Sequence, residues 1–150
     1  MISIEMDFDD ASIEQMINDD LNAWFEELKN SCRSAAKKFV DGIRAKTPTE
    51  GSWNNRTWNL RSSIGFLLVF NGKIVEEYFP ALSGGAEGSQ IGKAYAEEIA
   101  LLVNEGEGVQ MVIVAGMEYA VFVEGNGIDV LTHASKGFPK VWINEFKDAA

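Results

Sequence analysis

The sequence predicts an α+β fold: a long N-terminal helix packed on a small, mainly antiparallel sheet, with a second amphipathic helix and a C-terminal helix. Three observations carry this expectation. Apolar residues recur at three- and four-residue steps from residue 10 to about 46. Two apolar runs flank an Asn71-Gly72 pair, the strongest short-range hairpin signal. Helical and strand-like segments then follow in the order α-β-β-α-β-(α)-β-α with no repeat or linker, which suits one domain over residues 1–150. A chain of this length buries about 68–70% of its unfolded surface in one core.

The first helix takes its face from Ile13, Ile17, Leu21, Trp24, Leu28, Cys32, Ala35, Phe39 and Ile43. Asp9 or Asp10 can cap its start, and Pro48 stops it just after Lys46. Its charge is polarised. Residues 1–28 hold nine acids and no Lys or Arg, whereas residues 29–46 hold Lys29, Arg33, Lys37, Lys38, Arg44 and Lys46 against Asp41. That order complements the helix dipole; it also suits copies of the chain that pair acidic end to basic end.

Residues 47–60, "TPTEGSWNNRTWNL", read as a polar loop broken by Pro, Gly and Asn. "SIGFLLVF", Asn71-Gly72 and "KIVEEYF" make the hairpin, which Pro80 ends. "ALSGGAEGSQ" is expected to be a Gly-rich loop, followed by an amphipathic helix over 91–104 with Ile91, Tyr95, Ile99 and Leu102 on one face. "GEG" at 106–108 breaks that helix, and "VQMVIVAG" reads as a buried strand. "EYAVFVEG" fits a helical turn or a strand equally, "GIDVLT" is a further strand candidate, and Phe138 to Ala149 reads as a helix with Pro139 in its first turn.

Composition narrows function. Hydrophobic residues make up 46% and charged residues 24%, a globular balance. No apolar run reaches the roughly 18 residues of a membrane span, and the acidic start "MISIEMDFDD" lacks the basic region and apolar core of a signal peptide. Synthesis in a cytoplasm is therefore expected. A net charge of −10 opposes general nucleic-acid binding, which needs clustered Lys and Arg. The single Cys32 cannot form an internal disulfide, and the single His133 limits metal and acid–base chemistry.

Three chemical motifs fail on spacing. Gly92-Lys93 ends a Gly-rich stretch, but a phosphate loop needs Gly where Glu87 stands and a hydroxyl where Ala94 stands. Ser62, Ser63, Asp129 and His133 supply triad residue types without a Gly-x-Ser-x-Gly elbow. "DFDD" and Asp19-Asp20 lack the alternation of a calcium loop. No cofactor, metal or catalytic residue is expected. Trp53 and Trp58, beside Arg56 and Arg61, are residue types that anchor protein interfaces; the same rings can instead fold back to cap the core.

"AKTPTEGSWNNRTWNLRSSIG" resembles the Pro-x-x-Thr-Gly-x-Leu-Arg-x-Ser segment that follows the first helix in tail-completion (neck) proteins of long-tailed bacteriophages. "GMEYAVFVEGNG" is similar to that family's later Tyr-Ala-x-x-Val-Glu-x-Gly motif. Together the two extend the resemblance over most of residues 10–130. The chain departs from the pattern where Trp58 replaces the usual Gly and residues 51–56 are inserted. The family's usual C-terminal Pro-Phe-Leu segment is not evident, and "GFPKVWINEF" stands in for it only in part.

The resemblance implies no catalysis. It implies a ring of copies at the head-proximal end of the tail, joining the head connector to the tail tube, in the virion after assembly. Arg56, Trp58, Arg61 and Trp53 would then serve protein contact, with Lys37 and Lys38 on the helix engaging a neighbouring copy. The alternative class is an acidic binding module such as a DNA-mimic inhibitor. A mimic spreads its acids over one face, whereas nine of the 23 here lie in the first 28 residues, ahead of a basic block.

Overall fold

The computed structural model describes residues 9–103 and 106–149. Glu5 and Asp7 of the acidic start, and the predicted helix end at 104, lie outside them. Helix α1 spans Asp10–Ala45, with Asp9 as its N-cap, the carboxylate accepting from the Ser12 amide at 2.6 Å. The predicted apolar face divides in two. Cys32, Ala35, Phe39 and Ile43 are buried, but Ile13, Ile17, Leu21 and Trp24 are 41–55% exposed. Every residue from 10 to 24 is exposed, a length of about 22 Å at 1.5 Å per residue. Half of the helix builds the core, and the other half projects with its apolar stripe uncovered.

A three-stranded antiparallel sheet lies against the buried half, in the order β2-β1-β3: β1 is Ile64–Phe70, β2 Lys73–Tyr78 and β3 Val109–Ala115. The predicted hairpin turns at Asn71 (φ 47°) and Gly72 (φ 75°), the two positive φ values of a type I′ turn. Central β1 is covered on both faces. Ile64 and Phe66 pack on Phe39, Val40 and Ile43 of α1, while Leu67 and Val69 pack on Ala96 and Ala100 of the helix behind the sheet. This two-sided burial explains why "IGFLLVF" reads as a continuous apolar run instead of an alternating one.

The helix behind the sheet begins five residues earlier than expected, so the end of the supposed Gly-rich loop is helical. Between α1 and β1 lies α2, Asn59–Ser62, where a loop running into a strand was expected; helix α3 spans Ala86–Leu102. The glycines are there for close approach. A Cβ on Gly88 would meet the Asn59 carbonyl oxygen at 2.0 Å, and one on Gly92 the Ser63 carbonyl oxygen at 2.3 Å. A Gly-rich composition read as flexibility is in fact a backbone-to-backbone contact between α2 and α3.

"EYAVFVEG" resolves as helix α4, Ala120–Gly125. "GIDVLT" is not a strand. Gly127 takes φ +80°, and short helix α5, Thr132–Ser135, starts at its end. Two backbone donors that a ladder would need are held by a carboxylate: Glu124 accepts from the Leu131 and Thr132 amides at 2.7 and 2.8 Å, while Asp129 accepts from the His133 and Ala134 amides just beyond the segment. Helix α6, Phe138–Ala149, follows as predicted and packs on α1 through an edge contact of Phe138 with Phe39.

Candidate protein-interaction site

The site is built where α1 ends. Thr47 and Glu50 form a capping box around a single 3-10 turn, Pro48–Glu50, and Gly51 (φ 86°) reverses the chain. The loop that follows is fastened by Arg61, 3% exposed. Its guanidinium donates to the carbonyl oxygens of Arg44 and Lys46. It also donates to Ser52 Oγ at 2.9 Å and to Asn55 Oδ1 at 2.8 Å. A cation at the carboxyl end of α1 satisfies carbonyls that the helix leaves without partners, and it meets the negative end of the dipole.

Trp53 is 7% exposed, and the Arg61 guanidinium lies 4.8 Å from its ring centroid. Arg61, expected to serve partner contact, and Trp53, for which interface and core were both open, are therefore interior residues that shape the loop. Sequence could not separate these cases, because an arginine that caps a helix from a distance leaves no local spacing. The Trp53 Nε1 donor is itself buried without an acceptor among the described residues; leaving such a donor unmade costs about 1–3 kcal/mol.

Trp58 stands at the N-cap of α2 with φ +64° and ψ 0°, the left-handed region that favours Gly. Trp58 thus occupies a position whose backbone suits glycine. Its ring is 37% exposed. Arg56 is exposed and makes no ion pair among the described residues.

Residues 53–58 and Leu60 face Tyr119 and Val123 across a cavity of about 420 Å³. Its walls are two indoles, a phenol and two aliphatic side chains; Arg56, Asn54, Asn55 and Thr57 supply the polar groups. Tyr119 and Val123 were not expected to be site residues. The available signal was their place in the second quoted motif. That motif's glutamate, Glu124, also has a structural task. Burial pushes its carboxyl up, but hydrogen bonds from Thr132 and Leu131 outweigh this and hold it below its ordinary value.

Lys37 and Lys38 do not join this cavity's lining. Lys37 Nζ binds Asp41 at 2.6 Å and the Tyr78 hydroxyl at 3.0 Å, and these bonds raise its pKa. Lys38 pairs with Glu145 of α6. Both cations make bonds within their own chain, so exchanging them for acids would disturb the α1 contacts with β2 and α6 as well as any interface. Ser62 and Ser63 are fully buried: Ser62 Oγ accepts from the Leu82 amide, and Ser63 Oγ donates to the Leu60 carbonyl. His133 is exposed on α5. Among the described residues no group of three or more His, Cys, Asp or Glu could hold a metal ion, and no helix is long and apolar enough to cross a membrane.

No family model matches the chain, and neither does any curated protein or solved structure.

Proposed function

We propose that this chain is a structural assembly protein of the tail-completion type. Copies form a ring at the head-proximal end of a long bacteriophage tail, join the head connector to the tail tube, and carry out no catalysis. The observation that carries the assembly reading is the bare half of α1, where Ile13, Met16, Ile17, Leu21 and Trp24 form an exposed apolar stripe. A contiguous exposed stripe of this kind marks a surface that another protein covers.

The two segments that resemble the neck-protein family support the narrower reading. They lie about sixty residues apart in sequence, yet Leu60 of the first and Tyr119 and Val123 of the second line one cavity, which the inserted residues 53–56 with Thr57 and Trp58 complete. Two motifs that build one site together are more informative than either alone.

The test is co-production with the connector and tail-tube proteins encoded by neighbouring genes, followed by negative-stain microscopy. Rings of this chain at the tail end are expected. Tails that join heads normally without it would overturn the proposal.

A further inference from the structure

The cavity beside Trp53 and the bare stripe of α1 lie at opposite ends of one molecule. Arg61 ties the cavity loop to the carbonyls of Arg44 and Lys46 at the carboxyl end of α1, and Trp24 lies about 30 Å up the same helix at 1.5 Å per residue. A rigid helix cannot bring its own stripe to its own cavity. The two surfaces also lack complementary things. The cavity has apolar walls and, at Arg56, a guanidinium that makes no ion pair among the described residues. The stripe has exposed Leu21 and Trp24 beside the carboxylates of Asp19 and Asp20, with no base between residues 9 and 28.

We infer that the cavity receives the acidic, apolar face of α1 from a second copy of this chain. Asp20 and Trp24 stand one turn apart on one side of the helix. The apolar side chain enters between Trp53, Trp58 and Tyr119, and the neighbouring carboxylates supply the counter-charge for Arg56. The contact is head-to-tail, so it repeats from copy to copy and closes into a ring when the rotation permits. The inference rests on the assembly reading above and names the interface for it.

The 150-residue chain, labelled with ¹⁵N at its four indoles, tests this by two-dimensional NMR across a micromolar-to-millimolar concentration series. The Trp24, Trp53 and Trp58 indole signals should move together while that of Trp142 stays fixed. Two variants then divide the contact: Asp20→Lys with Trp24→Ala keeps the cavity, and Arg56→Glu with Trp58→Gly keeps the stripe. Each alone should associate at least tenfold more weakly than the parent, whereas the labelled first variant should show the Trp53 shift when the unlabelled second is added.

A Trp53 signal that stays constant in both the series and the mixture overturns the inference. So does a shift that appears on adding the connector protein but never with a second copy. Rings formed with the connector by the Arg56→Glu, Trp58→Gly variant would remove this interface and leave the assembly reading standing. Absence of rings from the parent protein would remove that reading itself.

Discussion

The guanidinium of Arg61 donates to the carbonyl oxygen of Arg44, seventeen residues earlier at the last turn of α1. This bond joins the helix that builds the core to the segment that shapes the cavity. It also explains the loop's form: Ser52, Trp53 and Asn55 all bond the same side chain, so one residue sets the end of the helix and the path after it.

Replacing Arg61 by Ala should therefore destabilise the fold by about 2–4 kcal/mol, since buried carbonyls lose a charged donor. Arg61→Lys should recover little of this, because one ammonium cannot span acceptors that a planar fork reaches together. Urea denaturation measures both. A lysine variant as stable as the parent would show that charge alone matters.

Trp58 offers a paired comparison. Its φ of +64° is strained for any side chain and free for glycine, so Trp58→Gly should be more stable than Trp58→Ala by about 1 kcal/mol. With the ring 37% exposed, neither variant should lose the roughly 3–5 kcal/mol of a buried tryptophan. A fall in melting temperature above about 10 °C for Trp58→Gly would place the ring in the core.

What was legible in the sequence follows from where the deciding interactions lie. The cap of α1, the Asn71-Gly72 turn and the apolar run of β1 are decided by neighbours in sequence, and they appear as expected. The start of α3 was missed because its glycines answer to α2, more than twenty residues away in the chain. "GIDVLT" was misread because Glu124 holds its Leu131 and Thr132 amides, and alternation alone cannot show that. At the candidate site, composition identified the aromatic and arginine residues. It could not tell buried Arg61 from exposed Arg56, because burial is decided by where α1 ends.

The α2–α3 contact makes its own prediction. Gly92→Ala sets a methyl group 2.3 Å from the Ser63 carbonyl oxygen, and backbone cannot swing aside as a long side chain can. Helix propensity favours Ala by about 1 kcal/mol, but overpacking should win and cost about 1–3 kcal/mol net. Gly84→Ala, where a Cβ meets nothing within 4 Å, is the control. Equal stability for the two variants would refute the packing account.

Acid should loosen the α4–α5 turn. The Glu124 carboxyl is held below its ordinary value of 4.5 in the fold, so its stabilisation is fully present above that pH. It is lost as pH falls through the lowered folded value. Glu124→Gln removes the titration, and its melting temperature should fall less steeply than the parent's between neutral pH and about pH 3. Parallel profiles would mean that the Leu131 and Thr132 bonds contribute nothing to acid stability.

The bare half of α1 gives the prediction that separates fold from assembly. Ile13 and Ile17 are 41% and 53% exposed and belong to neither core cluster. Changing both to Ala removes apolar surface without opening a cavity. Ala is also the better helix former, by a few tenths of a kcal/mol per site, so the helix itself should gain slightly. The melting temperature of the isolated variant should stay within about 2 °C of the parent. Ring formation with the connector should nevertheless weaken, because the stripe proposed to pack on a neighbour has lost two of its five large side chains and keeps Met16, Leu21 and Trp24. A stable variant that assembles as well as the parent would take Ile13 and Ile17 out of the interface; a variant that melts well below the parent would show that this part of the stripe is already covered within its own fold.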